Sequence, residues 1–73
     1  MKFKCKLKYR KDYFIIEAVD ENHAYMILDG LLYHSIKRFH GRLVTLIIDD
    51  TYPITMKQSD LQNLINFFEI KEL

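Results

Sequence analysis

One cysteine, two glycines and no long apolar run restrict what this 73-residue chain can be. The lone thiol, Cys5, excludes an internal disulfide, so nothing covalent compensates for small size and a reducing cytoplasm is the expected setting. Two widely spaced glycines, Gly30 and Gly41, cannot build a phosphate-cradling loop. No stretch approaches the ~18 apolar residues of a membrane span. Lys2, Lys4, Lys6 and Lys8 also interrupt any signal-peptide core, so a soluble protein with no membrane contact is expected. Metal-binding spacing is missing too. His23 and His34 share a helical flank but are separated by roughly 16 Å of helix, too far to hold one ion. Ser35 falls on an apolar helical stripe with no base in reach, which leaves a hydrolytic triad without support. The expectation is therefore no catalytic residue, no metal and no cofactor, and a protein that is not an enzyme.

What the chain does have is core-forming material: hydrophobic residues make up 49% of it and charged residues 29%. That balance is globular rather than disordered. Its length suits one domain over residues 1–73, burying roughly 60 to 65% of the surface the unfolded chain exposes. Residues with AT-rich codons (Phe, Tyr, Met, Ile, Asn, Lys) far outnumber Gly, Ala, Arg and Pro, which points to a low-GC bacterium or one of its phages or plasmids.

Periodicity supplies the elements. Residues 2 to 9 alternate with period two, sending Phe3, Cys5, Leu7 and Tyr9 one way and the lysines the other. Residues 13 to 19 read as a second strand, and a turn at Lys11-Asp12 would pair Tyr9 with Phe14, Leu7 with Ile16, Cys5 with Ala18, and Lys6 with Glu17. Asp20 is placed to N-cap a helix running to about Phe39, where His40-Gly41 supplies a left-handed stop. Ala24, Ile27, Leu28, Leu31, Leu32, Ser35 and Phe39 form its apolar stripe. Residues 43 to 48 and 52 to 56 make a second hairpin. A three-residue loop pairs Ile48 with Tyr52, Leu46 with Ile54 and Val44 with Met56, keeping the faces unmixed. Ser59 followed by Gln62 reads as a capping box for a last helix, and Glu69 to Leu73 as a tail. The expected fold is α+β, β-β-α-β-β-α, with one four-stranded, mostly antiparallel sheet and both helices on one face. The two β-β-α halves share a pattern, although one copy of each does not make a repeat family.

Such a fold leaves one sheet face open. Tyr13, Ile15, Val19, Leu43 and Ile47 would be bare on it, rimmed by Lys4, Lys6 and Lys8, the anatomy of a protein interface. This is the leading functional expectation: a small non-catalytic interaction or regulatory protein, either a homo-oligomer such as a homodimer or the ligand of another protein. The strand-1 lysines would also discourage edge-to-edge pairing. A secondary contact is expected on the outer line of the first helix at Met26, Gly30 and Tyr33, because glycine inside a helix costs about 1 kcal/mol against alanine and often marks close backbone approach. The alternative partner is nucleic acid. In the expected topology Arg10, Lys11, Lys37, Arg38, Arg42 and Lys57 gather at one end of the domain and the acids Asp20, Glu21, Asp49, Asp50, Glu69 and Glu72 at the other. Tyr13 alone would offer a stacking ring on the open face, which argues against single-strand binding there.

Overall fold

A computed structural model describes the whole chain, Met1–Leu73, and divides its strands between two sheets. In chain order the elements are β1 (Lys2–Leu7), β2 (Phe14–Glu17), α1 (Glu21–His34), β3 (Ile36–His40), β4 (Leu43–Ile48), β5 (Tyr52–Lys57), a 3₁₀ segment (Gln58–Phe67) and β6 (Phe68–Glu72). The first sheet has the order β2-β1-β6 and the second β3-β4-β5, all pairs antiparallel. The expected single four-stranded sheet is thus replaced by two three-stranded ones. The added strands come from stretches whose sequence read as helix end and tail.

The helix N-terminus follows its local signals. Asp20 accepts from His23 N–H at 2.8 Å, and Ala24, Leu28 and Leu32 bury the expected stripe. The C-terminus lies at His34, not near Phe39. Ser35 folds its hydroxyl back onto the Leu31 carbonyl, and its own carbonyl accepts from Ile47 N–H of β4 at 3.0 Å. Chain beyond Ser35 then runs along β4, with Arg38 opposite Thr45 and His40 opposite Leu43 after a register shift at Lys37. Gly41 does take the left-handed conformation, φ 62°, but it turns a hairpin rather than stopping a helix. With positive φ at Gly41 and not at Arg42, this two-residue loop has the signs of a type II′ turn.

The second hairpin has the expected register, Ile48 opposite Tyr52, Leu46 opposite Ile54 and Val44 opposite Met56. The first does not: Phe3 faces Ile16, Cys5 faces Phe14 and Lys2 faces Glu17, so the connection is several residues longer than a tight turn. This slip is even in residue number, so the inward set of β1 and β2 survives, while Tyr9 leaves the core and becomes exposed. The last helix is also revised. Ser59 makes no capping bond, and the segment from Gln58 is 3₁₀. Phe68 and Ile70 then alternate inward as β6, giving β1 its second neighbour with Leu7 opposite Phe68 and Cys5 opposite Ile70.

Together these changes give the chain a pseudo-twofold plan. Each half runs strand, strand, helical segment, strand, and each half's last strand completes the other half's sheet: β3 pairs with β4, and β6 with β1. The central strands β1 and β4 have the same alternation of buried and open positions. The first residues of β2 and β5, Phe14 and Tyr52, touch edge to face at 5.1 Å, as equivalent positions do near a twofold axis. One core closes between the inner faces of both sheets, α1 and Leu64. No helix is long and apolar enough to cross a membrane.

Candidate functional site

Splitting the sheet splits the expected open face. Tyr13 and Ile15 are exposed beside the first sheet, Leu43 and Ile47 lie on the outward side of the second, and Val19, 73% exposed, sits in the link to α1. The lysine rim is largely occupied within the chain. The Lys4 ammonium lies 4.5 Å from the centre of the Tyr13 ring, a cation–π contact. Lys6 donates to the Arg10 carbonyl at 2.8 Å and caps the loop after β1, while Lys8 is exposed. Across the strands Lys2 faces Glu17 and Lys6 faces Glu69, while Lys4 faces Lys71, so two of the three outward lysines of β1 have a carboxylate opposite them.

The expected basic end is also divided. Arg10 forms a two-pronged bridge to Asp12, with Nε to Oδ1 at 2.8 Å, donates to the Pro53 carbonyl and lies 4.0 Å over the Tyr52 ring. Its hydrogen bond holds the Asp12 carboxyl below the usual carboxylate range and raises the Arg10 guanidinium in turn. This cluster, with Lys11 next to it, sits at the Tyr52 end of β5 near the Asp49-Asp50 turn. Lys37 is drawn to the same end, 4.0 Å from Asp50. Arg42 and Lys57 remain at the opposite end of the second sheet, about 17 Å away along six-residue β4 at the usual strand rise, and Arg38, opposite Thr45, lies between the two ends.

Two surfaces stand out. The first starts on α1, where Met26 and Tyr33 are 72% and 80% exposed with Gly30 between them, and nothing lies within 4 Å of a Cβ added at Gly30. This ridge leads into a groove of about 350 Å³, where Tyr33, Ile36 and Phe39 face Leu61 and Ile65 of the 3₁₀ segment and Asp29 stands at the margin. Phe39, on the inward side of β3, is still 52% exposed because the 3₁₀ segment does not close over it. Sequence periodicity placed Phe39 inside the core stripe and so missed the groove. The second surface is the cationic end of the second sheet, where Arg42, Lys57, Gln58 and Ser59 border a shallow depression around Leu43.

Cys5 is fully buried, and burial pushes its thiol from an ordinary 9.0 up to about 11, so it is neutral and enclosed. No three His, Cys, Asp or Glu side chains come close enough to hold a metal ion. His23 Nδ1 accepts from Val19 N–H at 3.1 Å, and His40 approaches Thr45 at 3.5 Å. Comparison with protein-family models, curated proteins and solved structures returns no match.

Proposed function

We propose that the chain is a non-catalytic interaction protein whose first partner is a second copy of itself, docked across α1. The carrying observation is the continuous apolar surface from Met26 through Gly30 and Tyr33 into the groove beside Phe39. Gly30 is in ordinary helical backbone, and nothing crowds it within the monomer, so the fold gains nothing from the missing side chain. A second helix crossing at Gly30 does gain, because it can come close there. The surface is self-complementary in the antiparallel sense. Tyr33 lies three residues after Gly30 and Met26 four before it, so each Tyr33 meets the other copy's Met26 and groove. The same arrangement sets the Glu21 end of each helix against the other's His34 end and opposes the two macrodipoles.

Gly30→Ala separates this reading from a glycine that is merely tolerated. Alanine should stabilise the isolated fold by roughly 0.5–1 kcal/mol through helix propensity, and yet weaken self-association by keeping the helices apart. Tyr33→Glu should give a folded monomer, and Val19→Glu should leave the dimer intact. Sedimentation from micromolar to millimolar concentration checks all three. A parent protein that stays monomeric throughout this range, or a Tyr33→Glu variant of unchanged mass, overturns the reading.

A further inference from the structure

The second sheet carries cations that no acid answers. On its outward side, His40, Leu43 and Lys57 form one cross-strand row, and Arg38, Thr45 and Thr55 the next. Arg42 projects from the turn at that end and borders the same depression as Lys57 and Ser59. The ion pairs of the molecule lie elsewhere, at Arg10–Asp12, Lys37–Asp50 and Lys71–Glu69. The nearest carboxylate in sequence, Asp60, is half-buried and bridges to none of these cations. On the first sheet Glu17 faces Lys2, and Glu69 faces Lys6 and bridges to Lys71, so carboxylates stand among the cations there even though Lys4 lies opposite Lys71. A net charge of +1 therefore hides a basic face with no carboxylate bridging to its cations.

We propose that this end of the second sheet binds the phosphate backbone of duplex nucleic acid, with Arg38, Arg42 and Lys57 as the phosphate contacts. The hydroxyls of Thr45, Thr55 and Ser59 stand among them as neutral donors, and His40 adds a ring nitrogen at the edge of the row. The occupant follows from charge and from the lack of stacking groups. Leu43 is the large apolar side chain of the patch, and the exposed ring nearest in sequence, Phe39, points to the other side of the sheet. A face with fixed cations and hydroxyls but no aromatic platform contacts the backbone rather than unstacked bases. Binding of this kind is sequence-independent and salt-dependent.

The test is fluorescence anisotropy of the full chain with a labelled mixed-sequence DNA duplex across a salt series. Three phosphate contacts predict a log–log slope of about −2.7, and Arg38→Gln, Arg42→Gln and Lys57→Gln should each reduce it by about 0.9. Lys2→Gln and Lys71→Gln, on the first sheet, should leave the slope unchanged. Tyr33→Glu should also bind as the parent does, because Tyr33 lines the α1 groove and not the depression around Leu43. Each of the three single substitutions should keep the parent's far-UV spectrum, so that a changed slope reports lost contacts and not a lost fold. No binding at low salt, slopes unchanged in all three variants, or equally tight binding of polyglutamate would each overturn the proposal.

Discussion

Tyr52 Oη accepts from the Leu7 amide at 3.1 Å and donates to the Asp12 carbonyl at 2.9 Å, so one buried hydroxyl ties the loop after β1 to the other sheet. Phe14 meets the ring edge to face, and Arg10 covers it while bridging to Asp12. Removing the hydroxyl as Tyr52→Phe keeps the ring in place but strands the Leu7 N–H. An unpaired buried donor costs about 1–3 kcal/mol, and each kcal/mol lowers the melting temperature of a domain this size by roughly 4–8 °C. A thermal melt by circular dichroism checks this, and an unchanged midpoint would show that water replaces the hydroxyl. The inward placement of Tyr52 was legible in the sequence from hairpin parity. Its hydroxyl partners were not, because they lie 45 and 40 residues away. The same limit hid the intramolecular roles of Lys6 and Arg10, which alternation could only place on a surface.

Elements defined by local chemistry were readable, and those defined by a distant neighbour were not. The Asp20 cap and the β4–β5 register depend on residues a few positions apart, and both formed as expected. Residues 36–40 and 68–72 are short enough to fit either a helical or a strand pattern. What decides them is the open edges of β4 and β1, which need partners for their backbone groups. The β4–β5 turn is where local conformation and residue type disagree. Asp49 and Asp50 both hold positive φ, 54° and 58°, and Thr51 N–H returns to the Ile48 carbonyl at 3.1 Å, which matches a type I′ turn. Left-handed backbone costs most L-residues about 1–2 kcal/mol, somewhat less for Asp. Asp50→Gly removes that strain, against the added freedom of glycine in the unfolded chain and a long, exposed Lys37 contact worth little. The balance favours the variant by roughly 0.5 kcal/mol. Its melting midpoint should rise, and a fall would mean that the Asp50 carboxylate holds the turn.

At the scale of the molecule, the exchange of final strands between halves makes the chain nearly cyclic. The β3–β4 junction is a two-residue turn, Gly41-Arg42, between antiparallel neighbours. The pseudo-equivalent junction, from β6 to β1, joins strands that are also antiparallel neighbours, with Phe3 opposite Glu72 and Leu73 N–H donating to the Lys2 carbonyl at 2.9 Å. The two chain ends therefore lie where a hairpin turn would fit. Linking Leu73 to Met1 through Thr-Asn-Gly, which sets the added Thr opposite Met1 and leaves Asn-Gly as a tight two-residue turn, and opening the chain between Gly41 and Arg42 interchanges the closed and open junctions. Every strand pair and the core are retained. Gly41 and Arg42 are exposed, so the new ends disturb no buried group. The permuted chain should give the parent's far-UV spectrum and unfold in a single transition, with stability changed by about 1 kcal/mol, because only a short loop is exchanged for another. If the pseudo-twofold plan is only a resemblance between strand orders, and the β3–β4 turn is needed to hold β3 in register past the Lys37 irregularity, the permutant will lose the second sheet. Amide exchange would then show β4 and β5 unprotected while β1 and β2 stay closed, an outcome that separates a broken half from a globally weakened fold.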